Sequence, residues 1–230
     1  MNRLPTRLLH VFSIALAGLL LLVNEAPAQR GLDLENDTLT QSVLIHPPID
    51  ATGDSLDLST GEHEYKSQLR LADQLGRDFV VEKLCKDGIG RAYRPGSRGT
   101  QNKDWYGWRR DALAPFKATV ARVAEPDTVN VPGTMNRDAQ PGFIVFEDAS
   151  DNVTVLYAHV REISVEKGDT VRPGEVVGKV GNNGNSRNPH LHIGAWKGPP
   201  SKLGNKTGTP LQIQVDLYAE ERDGNGSDSQ

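Results

Sequence analysis

Pro189-His190-Leu191-His192-Ile193 sets two imidazoles two residues apart. Side chains alternate across a strand, so in an extended segment His190 and His192 share a side and Leu191 points the other way, into a core. Two imidazoles on one rigid face suit a metal ligand beside a general base. The chain has six histidines, and His10 falls in a segment expected to be removed. Two of the other five form this pair.

The elements that must hold the pair read as strands. Residues 118–124 (ATVARVA) alternate, as do 143–147 (FIVFE) and 153–160 (VTVLYAHV). Residues 125–141 carry Pro126, Pro132, Gly133 and Pro141 and read as a long hairpin loop. In 163–180 (ISVEKGDTVRPGEVVGKV), turns at Lys167-Gly168-Asp169 and Pro173-Gly174 separate β-branched runs. Short strands with Gly/Pro punctuation predict a mainly β fold, an antiparallel sheet or sandwich with long loops and little helix. Farther upstream, Asp78 to Val81 reads as a strand and Leu69 to Leu75 as a short helix or insertion. Residues 43–46 are a brief apolar run, and 50–62, rich in Asp, Ser, Thr and Gly, read as loop. The Gly181–Asn188 stretch, GNNGNSRN, is a shaped turn with backbone and amide groups available to line a groove.

YAH at 157–159, GDTVRPGEVVGKVGNNGNS at 168–186 and PHLH at 189–192 occur in an order that resembles the zinc peptidases of family M23, the LytM or lysostaphin type. The resemblance covers residues 112–196 best. It implies a zinc ligand at His192 and catalytic histidines at His190 and His159. It also implies a further His and Asp ligand from the N-terminal part of the core, often spaced H-x-x-x-D. This chain has no such pair there. His63, in Gly61-Glu62-His63, with Asp78, in Gly76-Arg77-Asp78-Phe79, completes a ligand set across a longer insert. The alternative is Asp104, beside Arg98 where a His would be expected, and it leaves only Asp104 and His192. The family cleaves peptide bonds in bacterial peptidoglycan, which implies a cell-wall peptide substrate. A degenerate domain that binds wall or a partner enzyme is the second reading. A biotinyl or lipoyl carrier is the third, and Lys179 within a strand does not suit it, since carriers present their lysine at a hairpin tip.

The compartment follows from the first 28 residues. Arg3 and Arg7 precede an apolar run from Leu8 to Val23, and Ala26-Pro27-Ala28 is an A-x-A cleavage site. A signal peptide is therefore expected over 1–28, then a linker over 29–42, a peptidase-like domain over 43–217 and a disordered tail over 218–230. The mature protein is expected in the periplasm or outside the cell, with no stable membrane span. A net charge of −4 and a pI near 5.9 give no support for nucleic-acid binding. Cys85 is the single cysteine, so no intramolecular disulfide forms and the core must supply the stability.

Overall fold

A computed structural model describes residues 41–53, 55–64, 71–200 and 208–219. The expected signal peptide over 1–28, residues 29–40 of the expected linker and residues 220–230 of the expected tail lie outside the described residues. The main sheet runs in the order β10 (Thr170–Val171), β6 (Ala118–Ala124), β7 (Phe143–Asp148), β8 (Val153–Ala158), β12 (Leu191–Lys197), β3 (Arg77–Leu84) and β2 (Leu56–Glu62). Two short strands attach at its margin: β13 (Thr209–Pro210) on β12 and β4 (Gly90–Arg91) on β3. Each pairing in this sheet is antiparallel. A second, three-stranded sheet joins β5 (Asp111–Leu113), β11 (Val176–Val180) and β9 (Val160–Arg161). The named helical elements are two 3-10 turns, Leu71–Asp73 and Asn102–Asp104. None of the described helices is long and apolar enough to cross a membrane.

The mainly β, antiparallel expectation holds, with two differences. Residues 50–62 are not all loop, because Leu56–Glu62 forms the edge strand β2. Leu56 and Leu58 pack on the core, and these two apolar positions, two apart among polar neighbours, are the strand signal that composition obscured. The other difference is β1 (Ser42–Ile45), which pairs in parallel with β14 (Gln212–Val215) and buries Val43, Ile45 and Ile213.

Burial divides the sheet into two faces. Leu191, Ile193, Phe79, Val155 and Tyr157 face the larger core. On the other face Val145, Leu156 and Trp196 pack with Ala72 from the first 3-10 turn. The central strands are thus covered on both sides, and β8 is buried at every position but its last. The second face carries the histidines.

Two glycines let the first 3-10 turn settle onto β12. A Cβ at Gly194 would land on the Ala72 carbonyl oxygen, and one at Gly76 would stand 2.9 Å from both that oxygen and His192 Cε1. Gly61, by contrast, faces open space. Gly194→Ala is expected to cost about 1–3 kcal/mol of unfolding free energy, as overpacking does. Gly61→Ala should change stability by less than about 0.5 kcal/mol, as surface substitutions do. Denaturant titration of the two variants checks the contrast.

Candidate active site

Strand register brings distant residues into one row. His192 on β12 lies opposite Asp78 on β3 and opposite Ala158 on β8, and Asp78 lies opposite Gly61 on β2. Directly opposed residues share a face. His63 stands two residues past Gly61, at the end of β2, where its N–H donates to the Gly76 carbonyl at 2.8 Å.

Asp78 is the hub. Its Oδ1 lies 2.8 Å from His192 Nδ1 and 3.6 Å from His190 Nε2, and its Oδ2 lies 3.3 Å from His63 Nε2. Burial opposes its ionisation. The hydrogen bonds from His192 and His63 and the nearby imidazoles outweigh burial and hold the carboxyl well below the usual carboxylate range. The hydrogen bond to Asp78 raises the His63 pKa against the opposing effect of burial.

His159 and His190 behave oppositely. Burial pushes both pKa values down, for His159 well below the ordinary value, with the neighbouring imidazoles adding to the effect. Their rings stand 4.7 Å apart between centroids. His159 Nδ1 lies 2.9 Å from the Asn183 carbonyl, and His190 Nδ1 lies 2.8 Å from the Asn188 carbonyl. A carbonyl only accepts, so each neutral ring keeps its proton on Nδ1 and leaves Nε2 with a lone pair.

Strict alternation through 153–160 would turn His159 to the core, alongside Tyr157. The strand instead ends at Ala158, and His159 adopts φ +66°, the left-handed region where non-glycine residues are uncommon. That turn brings its ring to 6.2 Å from His192. Asn183 holds the turn: its amide donates to the His159 and Val160 carbonyls, each at 3.0 Å, and its Oδ1 accepts from Gly142 N at 2.8 Å. The GNNGNS loop therefore does not line a groove with Asn182, Asn183 or Ser186, all of which are buried. Their polar groups turn inward, where backbone groups need partners.

The structure gathers His63, Asp78, His159, His190 and His192 around one centre. Asp104 lies elsewhere, its carboxylate accepting from Gln101 N within its own turn. The sequence reading missed Asp73. Among the described residues, His63, Asp73 and His192 form the trio whose potential ligand atoms lie within 4.8 Å of one another. Asp78 touches His63 and His192 through its two different oxygens instead. Asp73 sits on the 3-10 turn, and its Oδ1 is 3.7 Å from His192 Nε2. No short motif marks it, because only the packing of that turn on Gly194 brings it close.

A divalent ion fits this donor set. Ligand atoms around a tetrahedral zinc stand about 3.3 Å apart, and His63 Nε2 and Asp78 Oδ2 stand 3.3 Å apart. His192 has acceptors at both ring nitrogens, Asp78 at Nδ1 and the Ala72 carbonyl at Nε2, 3.3 Å away. Donation from Nε2 to Ala72 leaves Nδ1 free for a metal, and Ala72 is then the outer partner that orients the ring.

Residues 113–210 match the model of peptidase family M23. Over this segment the chain is similar to the M23 peptidases. His159, His190 and His192 lie inside the M23 segment, whereas His63, Asp73 and Asp78 precede it. Comparison with curated sequences gives no match. Among solved structures, the lysostaphin catalytic domain from Staphylococcus simulans is 18% identical, with 66% of this chain and 88% of that chain covered and a TM-score of 0.41. A chain of the SpoIIIAH–SpoIIQ complex is 21% identical over 66% and 92%, with a TM-score of 0.41. The deep-sea M23 metalloprotease pseudoalterin is 13% identical over 67% and 71%, with a TM-score of 0.40.

Two outcomes are expected. Asn183→Ala strands two carbonyls and an amide, and it should lower unfolding free energy by at least about 1–3 kcal/mol in denaturant titration. The second concerns pH in metal-free protein. His159 and His190 have depressed folded pKa values, so the unfolded chain binds more protons below about 6.5. Their stabilisation is present above that pH and is lost as pH falls. His63, with a raised pKa, acts in the opposite sense. Thermal melts should show wild-type protein losing more stability between pH 7.5 and 5.5 than His159→Gln does.

Proposed function

We propose that this chain is an exported zinc-dependent endopeptidase that hydrolyses peptide bonds in bacterial peptidoglycan, in stem peptides or cross-bridges. One observation carries the reading: four imidazoles and an ionised carboxylate converge on one face of the sheet in an M23 domain. His63, Asp78 and His192 would hold the zinc, with Asp73 as a competing carboxylate. Bound there, zinc would supply Lewis acidity towards water and the scissile carbonyl.

The protein's own groups do the rest. The neutral Nε2 of His190 or His159 accepts the proton of the attacking water, and that proton passes to the departing amine. The second imidazole donates to the developing oxyanion. Burial keeps both rings unprotonated near neutral pH, which suits the base; the donor must carry a captured proton on Nε2, because its Nδ1–H is held by a backbone carbonyl. Export rests on the signal-like first 28 residues and agrees with a wall substrate.

The second reading is a degenerate domain that binds wall or a partner without catalysis. What favours it is Gln74 at the position four before Asp78, where many family members carry the ligand His.

Purified mature protein should release peptides from cross-linked wall fragments, and a chelator should abolish the release. His192→Ala and His159→Ala should each lower the rate by at least about 100-fold, the scale of a lost general acid or base. Cleavage that persists in chelator overturns the zinc mechanism. No stoichiometric zinc after loading, together with no cleavage, supports the binding module. Zinc affinity of Asp73→Asn against Asp78→Asn tells which carboxylate is the ligand.

A further inference from the structure

His190 does not stop at the Asn188 carbonyl. Ser186 Oγ lies 3.2 Å from His190 Nδ1, 2.8 Å from the Asn188 carbonyl and 2.9 Å from Asn182 Oδ1. Asn182 Nδ2 lies 2.8 Å from Asn102 Oδ1 and 3.4 Å from the Asn130 carbonyl. Asn102 Nδ2 in turn donates to that same carbonyl at 2.7 Å. Ser186 is fully buried and Asn182 is 1% exposed.

The donors and acceptors fix where the His190 proton sits. Asn182 Oδ1 and the Asn188 carbonyl can only accept, so the single Ser186 hydroxyl proton goes to one or other of them. The hydroxyl then has only lone pairs left for His190. Nδ1 of His190 therefore carries the proton and shares it between Ser186 Oγ and the Asn188 carbonyl. The ring is gripped from one edge, and Nε2 is left facing Asp78 and the centre. Buried chains of this kind are costly to half-break, because each member's partner is then stranded.

We propose that Ser186, Asn182 and Asn102 form a positioning relay that, together with the Asn188 carbonyl, fixes the tautomer and orientation of His190. Asn102 belongs to the second 3-10 turn, outside the M23 segment. The relay thus ties a catalytic candidate to a part of this chain that the family match does not reach. Asn130 steadies the same loop, its amide donating to the Gly184 and Ser186 carbonyls at 2.9 and 2.8 Å. These residues touch no reacting atom, so their role is to aim the imidazole.

The inference rests on the peptidase reading for its catalytic consequence but not for its structural content. The test has two arms. In the first, 15N-labelled full-length mature protein is examined by NMR for the His190 ring nitrogens. Wild type is expected to show a protonated Nδ1 and a bare Nε2, and Ser186→Ala, in which the Asn188 carbonyl alone holds Nδ1–H, to show a shifted Nδ1 signal and a larger share of the other tautomer. Asn102→Ala, which removes the partly exposed end of the relay, should shift the same signals less and serves if Ser186→Ala does not fold. In the second arm, on wall fragments, Ser186→Ala should lower kcat by about 10–100-fold with KM within about 2-fold, a loss confined to the chemical step. Zinc content should be unchanged. Ser186→Thr, which retains the hydroxyl, should recover most of the tautomer signal. A bare Nδ1 in wild type, or a Ser186→Ala variant with an unaltered His190 spectrum, overturns the relay. If wild type cleaves nothing, the peptidase reading fails, and the NMR arm still decides the relay.

Discussion

The arrangement depends on the Asp78 carboxylate. It sits at the start of β3, opposite His192, and it is the only anion that touches three imidazoles at once among the described residues. Without it, His63, His190 and His192 would crowd one another with no compensating charge. Its ionised form makes His63 basic, whereas deeper burial keeps His159 and His190 neutral. Carboxylate and burial therefore push chemically identical rings in opposite directions, His63 up and His159 and His190 down.

Backbone geometry then fixes where each ring points. β12 supplies His192 by simple alternation, and His190 precedes the strand on the same side. His159 needs a left-handed residue to leave the core face, and Asn183 pins that conformation with three hydrogen bonds. Strain of this kind persists only where the surroundings over-determine it. The same loop that pins His159 also carries Ser186 and Asn188 against His190, so one eight-residue stretch aims two rings.

Much of this was legible before any coordinates. The strands over 118–124 and 143–147 came from alternation, and the long 125–141 loop from its prolines. The His190–His192 pair needed only the two-residue period of a strand. What escaped the sequence had identifiable physical causes. β2 escaped because polar, turn-forming composition masks a half-buried edge strand. The orientation of His159 escaped because alternation cannot foresee a positive φ. The inward role of the GNNGNS loop escaped because amide-rich turns look solvated until their partners are known. Asp73 escaped because its approach depends on glycines at 76 and 194, a steric allowance that no local pattern announces.

The boundary of the family match has a practical consequence. Residue 113 falls after β3 and β2, so a protein trimmed to the matched residues would lose the neighbour that covers the Leu191–Ile193 part of β12. The cut would turn an interior strand with buried faces into a bare hydrogen-bonding edge, the kind of surface on which chains stack into aggregates. It would also discard the carboxylate while keeping three histidines. Such a fragment would carry most of the recognisable motif yet lack both the solubility and the charge balance of the whole. For this protein the domain that folds is larger than the domain that is recognised.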